Sequence, residues 1–518
     1  MLRARVGVWV AACLVAGGTT AWAAEAPVAD AVQALDRHAL HALLGSSGDV
    51  NAAQMDGMTA LHWAARHDDS KIAELLLQVG ADASVSNRYG VTPLTLACIN
   101  GNGPLVELLL DAGADPNTVL PGGETALMTA ARTGRLAPVK ALLVRGADPH
   151  ATVLGMGRQE GVGANAFLRR MEDPTIFDFQ LKSEQTALIW AAAEGHAEVV
   201  AELIEFGADF RQTLESGFTP LLFAVRAGHM DVVKTLVEAG ADIKRRIKPA
   251  KEWRHRGYVA RLRSDATALH VAVENGHFEL AAYLLDCGAD PTAADPVGYT
   301  PLHAITNVRR VALGDANPPP RPTGEMTSLD LVRELAEHGA DLNARLTGPG
   351  LLNLGIQVHG PTAFLAAAQT ADLEFMRTLV ELGADPLLTD RNGSNALMLL
   401  GARTGSEAEV VAGIDILLAL GIDIDAVNES GETAMHQAAY RDRSAPIKLL
   451  AARGADVAVW NRENAFGSTP LALAAGYQGK RTIRPHPVAE SAIREVMIAA
   501  GLQVPKIVAV AAESKQAY

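Results

Sequence analysis

Eleven times along the 518 residues a short pattern returns, Thr-(Pro/Ala)-Leu or a near copy, starting at Thr59, Thr92, Thr125, Thr186, Thr219, Thr267, Thr300, Thr362, Asn395, Thr433 and Thr469. Five of the ten spacings are 33 residues, and most copies lead 21 residues later to Gly-Ala-Asp. A fixed period of that size means stacked supersecondary units, each touching its neighbours, rather than one globular core. Function is therefore to be sought on a long surface and not in a central pocket.

Each motif residue has a physical reason. Thr59 reads as an N-cap whose hydroxyl takes a free amide of the first helical turn, and the Pro after Thr92, Thr219, Thr300 and Thr469 sits where its missing N–H does no harm. Leu61, Ala64 and Ala65 then share one helical face, with alanines small enough for a paired helix to come close. Gly101, Gly134, Gly195, Gly228 and Gly276 fall nine residues after their Thr, where a left-handed residue ends a short helix. A second apolar run follows, such as Ile72, Leu75 and Leu76, and nine Gly-Ala-Asp triplets plus Gly421-Ile422-Asp423 close the units. The aspartates of these triplets, Asp82 among them, are expected to bond nearby backbone amides.

Helix, turn, helix, Gly-Ala-Asp turn and a hairpin ending in Gly-X-Thr resemble the ankyrin repeat, over roughly residues 26 to 503. The segments Thr59 to Ala65 and Thr219 to Asp242 match it nearly position by position. The resemblance implies an all-α solenoid of about eleven helix-turn-helix repeats plus end caps, with short β-hairpin fingers, and it implies protein binding without chemistry. The histidines of Thr-Ala-Leu-His and its near copies (His62, His270, His303, His436) and of Gly-His (His196, His229, His277) belong to this pattern and read as structural hydrogen-bonding residues. No second ligand stands at zinc-site spacing beside them. Composition agrees: 49% of residues are hydrophobic but only 5% aromatic, which suits thin Ala/Leu interfaces.

The ends are read separately. Arg3 and Arg5, an apolar stretch from Val6 to Val15 and Ala21-Trp22-Ala23 predict a secretory signal over 1–23, cleaved before Ala24, hence a periplasmic or secreted chain. The array is expected over 24–505, with Asp30 to Val50 a shortened first unit, Ala489 to Leu502 the last outer helix and 506–518 a tail. No later stretch is apolar for long enough to span a bilayer. Of three cysteines, Cys98 and Cys287 remain after cleavage, four repeats apart, so no disulfide is expected and both read as buried thiols. Losing Arg3 and Arg5 moves the formal charge from −14 to −16, which argues against general nucleic-acid binding.

Departures from the period are more informative than the period. From Gly-Ala-Asp to the next Thr the usual interval is 12 residues, but it is 40 after Gly146, 27 after Gly240 and 23 after Gly339. All three insertions enlarge hairpin fingers, which the alternation predicts to project from one edge, and insertions on one face of an array often mark the binding face. The first finger carries Phe167, Phe177 and Phe179. The second, Lys244 to Arg263, holds Lys244, Arg245, Arg246, Lys248, Lys251, Arg254, Arg256, Arg261 and Arg263 against the single acid Glu252, interleaved with Trp253 and Tyr258. The third offers Leu351, Leu352, Leu354 and Ile356 between glycines. A basic, aromatic-bearing finger between two apolar ones fits a protein partner with an acidic patch; solvated loops packed on the array are the plain alternative. Eighteen further residues separate the helices of the Thr300 repeat, including Pro318-Pro319-Pro320, which suggests a stiff extended excursion. Five extra residues near Ser406 to Val410 read as a lengthened turn, and eleven more lie around Gln478 to Pro487.

Catalytic signatures are missing from the sequence: no Cys-X-X-Cys, no His-Glu-X-X-His, no Gly-X-Ser-X-Gly, and Gly479-Lys480 lacks the rest of a phosphate loop. The expectation is an exported, monomeric, non-enzymatic scaffold without metal or cofactor. It would hold a protein through the concave helix face and the fingers. A polyanionic envelope component bound by the basic finger is the second reading, and a hydrolase assembled in the finger insertions the third.

Overall fold

A computed structural model describes residues 26–46, 48–120, 122–152, 184–214, 217–248, 265–310, 320–347, 360–478 and 481–505. Backbone contacts divide the chain into two compact units, residues 1–210 and 211–518. Both are built from pairs of short antiparallel helices, an inner one of mostly seven to nine residues and an outer one of nine to thirteen.

In the first unit the pairs are α1 (Pro27–Gln33) with α2 (Arg37–Gly45), α3 (Ala60–Arg66) with α4 (Ser70–Gln78), α5 (Pro93–Asn100) with α6 (Gly103–Asp111), α7 (Ala126–Thr133) with α8 (Leu136–Val144), and α9 (Ala187–Glu194) with α10 (Ala197–Glu205). The inner helices stack in chain order from α1 to α9 and the outer ones from α4 to α10. The second unit carries α11 (Pro220–Ala227) with α12 (Met230–Glu238), α13 (Ala268–Glu274) with α14 (Phe278–Asp286), α15 (Pro301–Arg309) with α16 (Ser328–Glu337), and α17 (Ala363–Gln369) with α18 (Leu373–Glu381). There follow α19 (Ala396–Leu399) with α20 (Glu407–Ala419), α21 (Ala434–Tyr440) with α22 (Ser444–Ala452), a single turn α23 (Val457–Trp460), and α24 (Pro470–Ala474) with α25 (Pro487–Ala499). Between α24 and α25 runs a small antiparallel hairpin, β1 (Tyr477–Gln478) with β2 (Arg481–Thr482). Inner helices α11 to α21, and then α24, again stack one on the next.

Every one of the eleven motif positions is an N-cap with extended backbone. At Thr92, Thr125, Thr219, Thr300, Thr362 and Thr469 the hydroxyl accepts the amide three residues on, and Asn395 does the same with its side-chain oxygen. Such caps are each worth about 1 kcal/mol. Inner helices are buried almost all round, which explains their alanines: all seven residues of α17 are buried. Outer helices are amphipathic and bury one stripe, as Ile72, Ala73 and Leu76 do on α4. Gly101 ends α5 at φ +75°, the left-handed cap expected of it.

The histidines are structural. His62 Nδ1 faces the Thr59 amide (3.2 Å) and hydroxyl (2.8 Å), while Nε2 lies 3.0 Å from the Val91 carbonyl of the following hairpin. His270, His303 and His436 repeat the arrangement toward Tyr299, Pro361 and Arg462. His196 and His277 bond carbonyls of the preceding inner helices, Arg132 and Arg226. The triplet aspartates behave as expected too: Asp82, Asp148 and Asp242 each accept the amide two residues on, at 2.8 to 2.9 Å. The sequence reading missed the next link. Asn51, Asn117, Asn343 and Asp425, two residues after each turn aspartate, accept the amide of the next repeat's aspartate at 2.8 to 2.9 Å.

Three expectations are corrected. The first pair is not shortened: Ala26 lies 33 residues before Thr59 and caps α1, and α1 and α2 match α3 and α4 in length. The extra residues near Ser406 are not only a turn, because α19 stops after four residues and α20 grows to thirteen, started by a Ser406–Glu409 capping box. Cys98 is fully buried, with burial pushing its thiol up to about 12, but Cys287 is only half-buried; both are free. Beyond these corrections, the excursion of the proline-rich insertion falls on residues 311–319, outside the described ones, while its described end, Pro320–Glu325, lies on the turn between α13 and α14. There Thr323 N donates to Gly276 O (3.2 Å), Glu325 N to Glu279 Oε1 (2.8 Å), and the Thr323 hydroxyl meets His277 Nδ1 at 3.0 Å. Pro318 and Pro319 lie outside the described residues.

Candidate partner-binding fingers

A regular finger is closed by one backbone bond between the residue five before the cap and the residue just before it. Asn87 N donates to Val91 O at 2.9 Å, and Asp295, Asp390, Asn428 and Asn464 close their hairpins in the same register. The side-chain oxygen of Asn87 then accepts the Tyr89 and Val91 amides at 2.9 and 3.0 Å, so the polar side chain shapes the tip.

The second and third enlarged fingers keep this foot. In the second finger Ile247 N donates to Ala266 O (2.9 Å) and Asp265 N to Ile247 O (2.7 Å), with Ile247 fully buried. In the third, Leu346 N donates to Pro361 O (3.2 Å), and Leu346 is buried as well. Both feet press on a glycine of the preceding finger: a Cβ on Gly217 would stand 2.8 Å from Lys248 N, and one on Gly298 2.7 Å from Arg345 O. The backbone at Gly217 and Gly298 is also left-handed, at φ +82° and +80°, so glycine serves both needs.

An arginine one residue before each buried plug reaches sideways. Arg246 Nη1 donates to Ala294 O at 2.6 Å and, more weakly, to Asp265 O at 3.4 Å. Arg345 Nη1 donates to Thr389 O at 2.5 Å and to Gly360 O at 3.5 Å. Each acceptor across the gap stands four residues after its own triplet aspartate, the register of the arginine itself. Part of the basic character of these fingers thus serves the stack.

Of the sequence-derived binding residues, Lys244, Arg245, Arg246 and Lys248 are placed at the foot of the second finger, all exposed. Lys251, Trp253, Arg254, Arg256, Tyr258, Arg261, Arg263, Phe167, Phe177 and Phe179 lie outside the described residues. The field of the foot is felt next door: the Thr292 hydroxyl and amide, then the Arg246 and Lys244 charges, hold Asp290 below the usual carboxylate range. Beside the first finger, Gln185 Oε1, Thr186 Oγ1 and Trp190 Nε1 are buried without a hydrogen-bond partner among the described residues. Trp63, at the same place after its Thr, gives its indole N–H to Gln54 Oε1 at 2.7 Å. Among the described residues no group of three or more His, Cys, Asp and Glu could hold a metal ion, and no helix is long and apolar enough to cross a membrane.

A model of three successive ankyrin repeats matches residues 28–120, 164–247 and 364–461, together just over half of the chain, and a single-repeat model matches 122–152 and 264–296. The chain belongs to the ankyrin-repeat family. The ankyrin-repeat domain of human ASB11, known from a crystal structure, is similar at 20% identity, over 55% of this chain and 99% of that one, with a TM-score of 0.38. Ankyrin repeats form protein–protein interaction scaffolds, typically without enzymatic activity. The matches stop at 247 and resume at 264, so residues 248–263 lie between them while Lys244, Arg245 and Arg246 lie within the first.

Proposed function

We propose that this ankyrin-repeat chain is an exported, non-enzymatic scaffold that captures a protein with an acidic patch on the finger 244–263. One observation carries the reading. The foot of that finger is held in the ordinary repeat register by Ile247, and the sequence inserted beyond it, up to residue 263, carries six of the nine basic residues of the segment against its one acid. Lys244, Arg245 and Lys248, exposed at the foot, extend the same positive field. A positive field of this kind speeds encounter with an acidic partner and weakens with salt, since screening acts over about 10 Å at 0.1 M.

Replacing Arg254, Arg256, Arg261 and Arg263 by Glu tests it. Cross-linking from residues 244–263 in the exported fraction should join a protein to the native chain and none to the variant, with the unfolding temperature unchanged. An undiminished cross-linked product from the variant would sink the reading, as would capture of acidic polysaccharide alone. Export rests on the first 23 residues, and the mature chain should begin at Ala24 by N-terminal sequencing; a mature chain that still begins at Met1 removes that part of the proposal.

A further inference from the structure

The stretch from Asn395 to Leu450 departs from the repeat in a way that partner capture does not use. α19 ends at Leu399 because Leu400 leaves helical dihedrals (φ −57°, ψ 119°) and Gly401 turns left-handed at φ +65°. The chain then bonds backward, Gly401 N to Ala368 O and Arg403 N to Gln369 O, both at 2.8 Å. Where a second turn of α19 would pack, a cleft of about 20 Å³ remains, lined by Leu397, Leu400, Val410, Ile414, Arg441 and Arg443 among others. That is room for one particle about the size of a water molecule.

Two guanidinium groups border this small space, and neither forms an ion pair among the described residues. Arg443 Nη2 donates to Gly405 O at 3.0 Å, but its Nη1 is buried with no hydrogen-bond partner. Arg441 gives Nη2 to Gln437 Oε1 at 2.8 Å and only a long 3.4 Å contact from Nη1 to Met398 O. The nearby carboxylates are engaged elsewhere: Glu407 accepts the Ala445 amide, and Glu432 accepts from the Gln437 and Asn464 side chains. Burial, then the adjacent Arg443 charge, bring Arg441 down to about 10, so both groups stay cationic at neutral pH. Glu432 acts on Arg441 and Glu407 on Arg443 only through space, without an ion pair, and an orphaned N–H beside leucine, valine and isoleucine is costly unless an acceptor joins it.

We propose that this cleft binds a single halide-sized monovalent anion between Arg443 and Arg441. The small space and the walls of Leu397, Leu400, Val410 and Ile414 favour a small anion that gives up water readily. The anion would tie α19 and α20 to α21 and α22, where the repeat is most distorted.

The test uses the full processed chain in a gluconate buffer of fixed ionic strength, with bromide replacing gluconate. The unfolding temperature should rise and saturate with bromide, and Arg443→Gln should abolish the saturable part. A crystal soaked in bromide should show an anomalous peak within hydrogen-bonding reach of Arg443 Nη1. An equal bromide response in Arg443→Gln, or bromide peaks on the surface with none in the cleft, overturns the proposal and leaves a water there. The crystal measurement uses the native chain, so a failure of the variant to fold does not shield the proposal.

Discussion

The hairpin Asn87–Val91 and the finger between Ile247 and Ala266 solve one problem in opposite ways. Both must bring the chain back to an N-cap in fixed register, and both do so with an amide-to-carbonyl bond of 2.9 Å. In the short hairpin the residue at the foot is polar, because two tip amides lie within reach of its side-chain oxygen. In the long finger a fully buried isoleucine holds the foot by packing, as Leu214 does in a finger of ordinary length. At each foot described, one backbone bond and one well-placed residue thus hold the register.

Breaking the two feet should give unequal losses. Ile247→Ala opens a cavity at a fully buried site and should lower stability by about 2–5 kcal/mol in urea unfolding. Asn87→Ala removes two amide bonds at a half-buried position and should lower it by about 1 kcal/mol. If the alanine at 87 proves the more harmful, then the tip and not the plug governs register, and the contrast drawn above collapses.

How much of this the sequence announces depends on whether a position speaks through its own chemistry. The N-caps and helix ends do, since Thr, Pro and Gly carry local backbone preferences, and the helices begin directly after the motif residues. The enlarged fingers were legible as intervals. The buried plug was not, because Leu214 occupies the same register in a finger of ordinary length, also buried, so an apolar residue there signals nothing by itself. Ser406 was misread because counting residues gives the size of an insertion, not its conformation; the Ser-X-X-Glu capping signature at 406–409 was the clue. Ala26 hid the first repeat by lacking the Thr hydroxyl while keeping the following proline. The candidate site was legible as charge and aromatic content. That Arg246 serves Ala294 O, 48 residues on, follows from stacking geometry, which no local pattern encodes.

Arg246 sharpens the comparison from its exposed side. It belongs by composition to the binding finger and by its bonds to the stack. Arg246→Gln should cost about 0.5–1 kcal/mol, the scale of an exposed hydrogen bond, whereas Glu at 254, 256, 261 and 263 should leave urea unfolding unchanged. Equal destabilisation by both variants would mean that the outboard arginines also pack on the array, and the division between foot and finger would vanish.

The gentlest perturbation is protonation. His62 uses Nδ1 as an acceptor for Thr59 and must therefore carry its proton on Nε2, pointing at Val91 O at the root of the short hairpin. Burial pushes its pKa down, against the Val91 bond and the Asp56 charge that raise it; His436 is pushed down by burial in the same way. A histidine whose folded pKa lies below the unfolded value of about 6.5 contributes fully above that pH, and its contribution fades as pH falls below it. Unfolding temperature should therefore decline gradually between pH 7 and 5, and His62→Gln should flatten the slope, because glutamine does not take up the proton. An unchanged slope in His62→Gln would assign the acid sensitivity to other groups and detach the short hairpin from its histidine.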